Sequence, residues 1–307
     1  MKITVLIPYF NEFSTILKTL DNLNNQTLKA NQVILIDSGS TDSTSKLINN
    51  WIEDNNKRDV YLNLFSGKMN PSTSLNYGLE NAKYELIAYI DCGLKIPLNW
   101  LETGLKLIKK SHADIVSKCI YTEGKNMIDK SFIAQTYGHK QKRPCLPGSL
   151  IDKKVFKNIG NFLENVRSGY DTDFINRIEK NNLVRLIDYA HPLEYYGYNF
   201  SPNIFSAFKK IFSYSLAGWK TKGDNKPFIY FFIIVIFLVC ISNGYLVHFL
   251  IFYIIGRGYI IPYIKSAQNN LFINVYFMIF LPISGLIVDV ARFSGYLFSL
   301  LTLRILR

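Results

Sequence analysis

Four short stretches of this 307-residue chain carry side chains able to do chemistry. Pro8, Tyr9, Asn11 and Glu12 close one apolar run, and Asp37-Ser38-Gly39-Ser40-Thr41-Asp42 closes another. Asp91-Cys92-Gly93 follows the apolar Leu86–Ile90, and Asp171 and Asp173 stand between Arg167 and Phe174, with His191 further on. An aspartate placed like Asp37 can accept from a nucleobase N–H or a ribose hydroxyl. The Ser-Gly-Ser turn after it lets backbone N–H groups approach an anion at a helix start. Asp91, after five apolar residues, is costly to bury without a partner, which points to a ligand or a metal. Asp171 and Asp173 are two apart and point in different directions in a helix or a strand. One reads as a general base, the other as an acid at a helix start. His191 reads as a metal or phosphate ligand, with a structural histidine as the alternative. The same residue types also serve ordinary strand-to-helix turns and caps.

These residues need elements that place them at one edge. Strand patterns cover Ile3–Ile7, Val33–Ile36, Val60–Phe65, Leu86–Ile90 and Asp114–Ile120, and a further apolar run, 183–190, leads into His191. Helical patterns put Ile16, Leu17, Leu20 and Leu23 on one face, and Leu47, Ile48 and Trp51 on another. Asn99 and Glu102 predict a capping box opening a helix through Lys110. Short apolar strands alternating with amphipathic helices predict an α/β fold with a mostly parallel, doubly wound sheet covered on both faces. Ligands of such sheets bind at the carboxyl ends of the strands.

Charge is divided along the chain. The net charge is +12, with 30 Lys plus Arg and 22 Asp plus Glu in residues 1–226, but only 5 and 1 in residues 227–307. The excess suggests phosphate-bearing partners. No nucleic-acid motif is present. Residues 204–226 mix aromatics with five lysines, the pattern of an interfacial segment. Phe228–Leu250 and Leu271–Val288 are apolar enough to cross about 30 Å of hydrocarbon. The lysines before the first and the arginines after the second predict two spans with both flanks cytoplasmic. Alternatives are a re-entrant hairpin turning at Asn243-Gly244, or a very apolar soluble core. The resulting domains are residues 1–203, a basic collar 204–226 and a membrane part 227–307. The N-terminal residues MKITVLIPYF lack the apolar run of a secretory signal. Cys92, Cys119, Cys145 and Cys240 are widely spaced, which argues against a zinc site or disulfide framework and fits a reducing compartment.

Taken in order, IPYFNE, ILIDSGSTDST, LIAYID, NWLE, GS and DTDF resemble the inverting family 2 glycosyltransferases of the GT-A fold over roughly residues 1–220. That resemblance implies a nucleotide-diphospho-sugar donor, by default a UDP-sugar. It implies donor contacts from Pro8, Tyr9, Asn11, Glu12, Asp37, Ser38, Gly39, Ser40, Lys68, Asn76 and Asp91. Asp171 matches the family's general base. Gly148, Ser149, Arg167, Tyr170 and His191 fall on the acceptor and diphosphate side. Asp91, with His191, is the implied ligand of Mg²⁺ or Mn²⁺.

The chain departs from the family pattern in three places. Gly93 replaces the second acid of Asp-x-Asp, Tyr170 replaces the Glu of Glu-Asp, and Leu75 replaces an Arg before Asn76. The expectation is an inner- or plasma-membrane hexosyltransferase with a cytoplasmic catalytic domain and a prokaryotic source. Its acceptor would be a polyprenyl-diphosphate-linked glycan of a surface polysaccharide such as O-antigen or capsule. The alternatives are a polyprenyl-phosphate glycosyltransferase and a non-catalytic scaffold that binds nucleotide sugar or lipid.

Overall fold

The computed structural model describes residues 1–195, 201, 203–221, 224–266 and 274–305. Elements run β1 (Ile3–Tyr9), α1 (Ile16–Asn24), β2 (Gln32–Asp37), α2 (Thr44–Asp54), β3 (Tyr61–Phe65), α3 (Pro71–Glu80), β4 (Leu86–Tyr89) and β5 (Leu94–Lys95). There follow α4 (Trp100–Ser111), β6 (Ile115–Thr122), α5 (Met127–Thr136), β7 (Gln141–Asp152), α6 (Lys154–Ile159), α7 (Tyr170–Lys180) and β8 (Arg185–Tyr195). The remainder is helical: α8 (Ile204–Ser215), α9 (Lys226–Ser242), α10 (Leu246–Tyr253), a π-helical stretch Ile254–Ile260, α11 (Ile261–Lys265) and α12 (Val275–Ile305). Two compact units emerge, residues 1–120 with 144–197, and residues 121–143 with 198–307. Residues 121–143, inside the expected first domain 1–203, group with the second unit.

The first unit is built on an eight-stranded sheet in the order β3-β2-β1-β4-β7-β6-β8-β5. β1, β2, β3 and β4 are mutually parallel neighbours. β7 runs antiparallel to β4, and β5 antiparallel to β8. The register aligns Tyr9 with Asp37 and Asp37 with Phe65, and Tyr89 with Leu6. The carboxyl ends of these strands therefore share one edge. Alternation along the strands fills both faces. Val5, Ile7, Val33 and Leu35 pack with Ile16, Leu20, Ile48 and Trp100. Leu6, Ile34 and Ile36 pack with Leu75, Leu79, Phe156 and Phe174 on the other side. A two-sided apolar environment is what the near-continuous strand sequences require.

One local expectation fails. Asn99 makes no side-chain cap, because its backbone (φ −101°, ψ 18°) lies outside the extended conformation a capping side chain needs. Glu102 instead accepts from Thr27 Oγ1 at 2.8 Å and pairs with Lys106. Nor is β7, which carries Leu146–Ile151, visible as a strand in the sequence, since Pro144, Pro147 and Gly148 interrupt its pattern.

In the second unit the expected span Phe228–Leu250 is not one helix. Asn243 and Gly244 (φ +75°) break it into α9 and α10, which fold back on each other. Phe237 and Phe249 meet across the pair with ring centres 5.3 Å apart. The turn falls at Asn243-Gly244, the position the re-entrant alternative gave it. Leu246–Lys265 and Val275–Thr302 are long and apolar enough to cross a membrane, and Lys226–Ser242 is shorter. Residues 271–273 of the second expected span lie outside the described residues. α12 continues unbroken past its expected end and through Pro282.

Candidate functional site

The edge begins with two interlocked turns. Asp37 Oδ1 accepts from the Gly39 and Ser40 amides at 3.1 and 2.7 Å, which fixes the carboxylate at the end of β2. Gly39 sits at φ +90°, and a Cβ there would lie 3.1 Å from the Lys68 Cα. Glycine is therefore required twice, for its backbone angle and for the approach of the loop bearing the exposed Lys68. Asn11 occupies a left-handed conformation (φ +55°), its amide donates to Ser40 Oγ at 3.0 Å, and its Oδ1 accepts from the Thr41 amide at 2.8 Å. The Glu12 amide donates to Thr44 Oγ1 at 3.0 Å. Pro8 and Tyr9 lie in β1, with the Tyr9 hydroxyl donating to Asn63 at 2.8 Å. Ser38 shares a hydrogen bond with Ser74 at 2.9 Å.

Asp91 lies two residues beyond the end of β4. The Tyr89 hydroxyl donates to its Oδ1 and the Tyr195 hydroxyl to its Oδ2, the latter at 2.6 Å. Tyr89 in turn meets the Tyr170 hydroxyl at 3.1 Å. Burial pushes the Asp91 carboxyl above the usual range, opposed by the two tyrosine hydrogen bonds and reinforced by the negative charge of Asp171. Glu12 is raised in the same way, by burial first and then by Asp91 and Asp42. Asp91 thus lies in the negative field of both Glu12 and Asp171 at this edge.

Asp171 opens α7, directly after Tyr170, where the helix dipole favours a carboxylate. Its neighbour Asp173 does a different job. It is buried and pairs with Arg177 at 2.9 Å, while the Arg177 guanidinium also donates to the carbonyls of Gly160 and Asn161. Asp173 therefore locks the loop before α7. Asp171 remains at the edge, its Oδ1 accepting from the Thr172 amide at 2.8 Å.

The other expected residues are placed as follows. Gly148 (φ +82°) accepts from Trp100 Nε1 at 2.8 Å, and a Cβ there would lie 2.5 Å from Leu193 Cδ1. Ser149 donates to Ser117 at 3.1 Å within the core. Asn76 is buried on α3, where its side chain exchanges hydrogen bonds with the Phe162 backbone at 2.9 and 3.0 Å. Arg167 is exposed in the loop before α7. His191 is exposed in an irregular stretch of β8, between the Lys118–Asp188 and Ile120–Leu193 register pairs. It lies within electrostatic reach of Asp188, which forms a buried pair with Lys118 at 2.6 Å. No described contact joins His191 to Asp91.

Tyr89 and Tyr195 escape the sequence reading. Tyr89 carries a signal, since strand residues two apart share a face and Tyr89 stands two before Asp91. Tyr195 has none, because only the pairing of Leu94 with Tyr195 brings it to Asp91.

Among the described residues, no three His, Cys, Asp or Glu side chains converge into a metal cage. What fits a divalent ion is narrower: Asp91 as the single protein carboxylate, in the negative field of Glu12 and Asp171. Mg²⁺ sites commonly combine one or two carboxylates with substrate phosphates.

The family model described as "Glycosyl transferase family 2" matches residues 4–160. Among curated proteins, the chain is similar to the cholesterol galactosyltransferase of Borreliella burgdorferi, 30% identical over 159 residues, 52% of this chain and 41% of that protein. It is also similar to the GalNAc(5)-diNAcBac-PP-undecaprenol beta-1,3-glucosyltransferase of Campylobacter jejuni, 25% identical over 126 residues, 41% of this chain and 40% of that protein. The matched stretch spans about two fifths of the length of these relatives. Among solved structures, the mannosyltransferase PcManGT from Pyrobaculum calidifontis, in complex with GDP-Man and Mn²⁺, aligns with a TM-score of 0.59 at 14% identity, covering 95% of this chain and 86% of that one. S. aureus TarS 1–349 aligns with a TM-score of 0.51 at 15% identity, covering 100% and 92%. At these identities the structural likeness speaks for the fold.

Proposed function

This chain belongs to glycosyl transferase family 2 and has a mixed-sheet, GT-A-like α/β fold, and on that premise we propose that it is a membrane-associated, inverting hexosyltransferase. It moves a sugar from a nucleotide diphosphate donor, by default a UDP-sugar, to a polyprenyl-diphosphate-linked glycan at the cytoplasmic face of the membrane. The observation that carries this reading is the coupling of Asp171 to the Asp91–Tyr89–Tyr170 network at the carboxyl edge of the sheet. Asp37, held by its own turn, receives the nucleoside. The exposed Lys68, on the loop packed against Gly39, flanks the phosphates, since the amides of residues 39–41 already donate to Asp37 and Asn11. Asp171 takes the proton from the acceptor hydroxyl as that oxygen attacks the anomeric carbon in line, which inverts the configuration. The tyrosine hydroxyls keep Asp91 oriented without cancelling its charge. A divalent ion carried in on the donor diphosphate would be held by Asp91 and would neutralise charge on the leaving group. The lipid character of the acceptor is supported by the apolar helices and by the lipid substrates named for the two relatives.

The test is transfer by detergent-purified full chain to a polyprenyl-diphosphate-linked acceptor, across a panel of nucleotide sugars, with Mg²⁺, Mn²⁺ or EDTA. Transfer with a divalent ion and its loss in EDTA are expected. Absence of transfer or hydrolysis with every donor would refute the enzymatic reading. Activity that survives EDTA would move the charge-neutralising role to Lys68.

A further inference from the structure

The second unit holds a charge cluster that the transfer chemistry does not use. Asp289 of α12 accepts from Arg257 Nε at 2.7 Å, from the Tyr230 hydroxyl at 2.7 Å and from the Tyr253 hydroxyl at 2.8 Å. Arg292 donates to the same Tyr230 hydroxyl at 3.1 Å. Arg257 also donates through Nη1 to Gln135 Oε1, and Lys265 Nζ donates to the Thr136 carbonyl at 3.2 Å. Lys226 lies within electrostatic reach of Lys265, as do Arg257 and Arg292. Among the described residues, Lys226 pairs with Asp224 at 3.3 Å, while Arg257, Lys265 and Arg292 face one carboxylate, Asp289, which leaves a surplus of two positive charges. The Arg257 side chain is 9% exposed, and its Nη2 is buried with no hydrogen-bond partner among the described residues. An unanswered guanidinium N–H of that kind costs free energy until an acceptor meets it.

The position of the cluster indicates what the acceptor is. Lys226 and Tyr230 on α9, and Arg257 and Lys265 on the π-helical stretch and α11 that continue α10, all lie toward the open end of the hairpin, away from the Asn243-Gly244 turn. The arms between them and the turn expose Phe232, Val235, Leu238, Val247, Ile251 and Phe252. An apolar hairpin with cations at its base inserts its tip in hydrocarbon and holds the base at the depth of the lipid phosphates.

We propose that Arg257, Lys265 and Arg292 form a binding site for the phosphoryl headgroup of an anionic lipid, seated at the base of this hairpin. The proposal does not depend on sugar transfer. It is tested by thermal unfolding of the detergent-purified full chain titrated with short-chain phosphatidic acid, short-chain phosphatidylcholine or inorganic phosphate. Lys265→Gln with Arg292→Gln removes the surplus and leaves the Arg257–Asp289 pair intact. Lys109→Gln with Lys110→Gln on α4 controls for general surface charge.

Phosphatidic acid should bind the native chain, and the Lys265→Gln/Arg292→Gln variant should bind it on the order of thirtyfold more weakly. The α4 variant should bind like the native chain, and Arg292→Lys should retain most of the affinity. Inorganic phosphate should compete only weakly. Equal affinity for phosphatidylcholine and phosphatidic acid, or undiminished binding by the Lys265→Gln/Arg292→Gln variant, would overturn the proposal. Tight binding of inorganic phosphate without any gain from the lipid would overturn the lipid source.

Discussion

At the carboxyl edge of the sheet, Asp91 is held by uncharged tyrosine hydroxyls and feels two further carboxylates, Glu12 and Asp171. At the base of the helical hairpin, Asp289 is the one carboxylate among Arg257, Lys265 and Arg292 in the described residues. Both clusters lie in surroundings of low dielectric, where a lone charge is expensive. They answer that cost differently. Hydroxyl donors orient a carboxylate and leave its charge in place, so the sheet edge presents a negative field to an incoming cation or acceptor proton. The ion pair cancels one charge on each side and leaves a positive remainder, so the hairpin base presents a field to an anion. One region is suited to proton and metal chemistry, the other to holding a phosphate. The comparison yields variants that separate the two.

The largest effect belongs to Asp171. Asp171→Asn keeps the helix start and removes the base, so transfer should fall by about 10²–10⁴ while donor binding changes little. Asp173→Asn, two residues away, should do the reverse. It loosens the Arg177 latch on residues 159–161, lowering the unfolding temperature while the folded fraction keeps its turnover. Steady-state kinetics beside thermal unfolding separates the two. Full transfer by Asp171→Asn would remove this region from the chemistry.

The hairpin base should answer a similar change with instability rather than lost turnover. Asp289→Asn leaves Arg257 buried without its counter-charge, a loss of roughly 3–5 kcal/mol. Adding Arg257→Gln removes the orphaned charge and should restore most of that stability. Chemical unfolding in detergent measures both. If the single variant were as stable as the native chain, the Asp289 pair would not be a buried one.

How much of this was legible in the sequence depends on the range of the interaction. The parallel strands 3–9, 32–37, 61–65 and 86–89 were readable because each is apolar along its length and ends in a polar turn. Asp37 and Asp91 stood out as candidates because a carboxylate at such an end is conspicuous, and Asp171 because the stretch DTDF follows the family order. The split of labour between Asp171 and Asp173 was posed by their spacing, but it took Arg177 and the 159–161 carbonyls to assign it. β7 was hidden by Pro144 and Pro147, and Tyr195 by its dependence on a pairing about a hundred residues from Asp91. In the second unit, hydropathy averaged over a long window found the apolar segments but fused α9 with the start of α10, and only the Asn243-Gly244 dipeptide marked the break. The role of Gln135, 122 residues from Arg257, had no local signal at all.

The smallest effect is the most diagnostic of the sheet edge, because its sign is unusual for an active-site change. The folded state raises the Asp91 carboxyl above its unfolded value, chiefly by burial. The folded protein then binds that proton more tightly than the unfolded chain does. This group therefore contributes stability below its unfolded pKa and loses it as pH rises through the folded value. At neutral pH the ionised Asp91 is a burden on the fold. Asp91→Asn should accordingly raise the unfolding temperature at neutral pH while transfer is lost. The advantage should shrink as the solution is made acidic and the native carboxyl becomes protonated. Glu12, raised for the same reason, should make native stability itself improve slightly over the same acidic window. Unfolding temperatures of both proteins across a pH series measure this directly. A variant less stable than the native chain at neutral pH would mean that the hydrogen bonds from Tyr89 and Tyr195 outweigh the cost of burial, and that Asp91 is a structural anchor rather than a charge kept available for the donor.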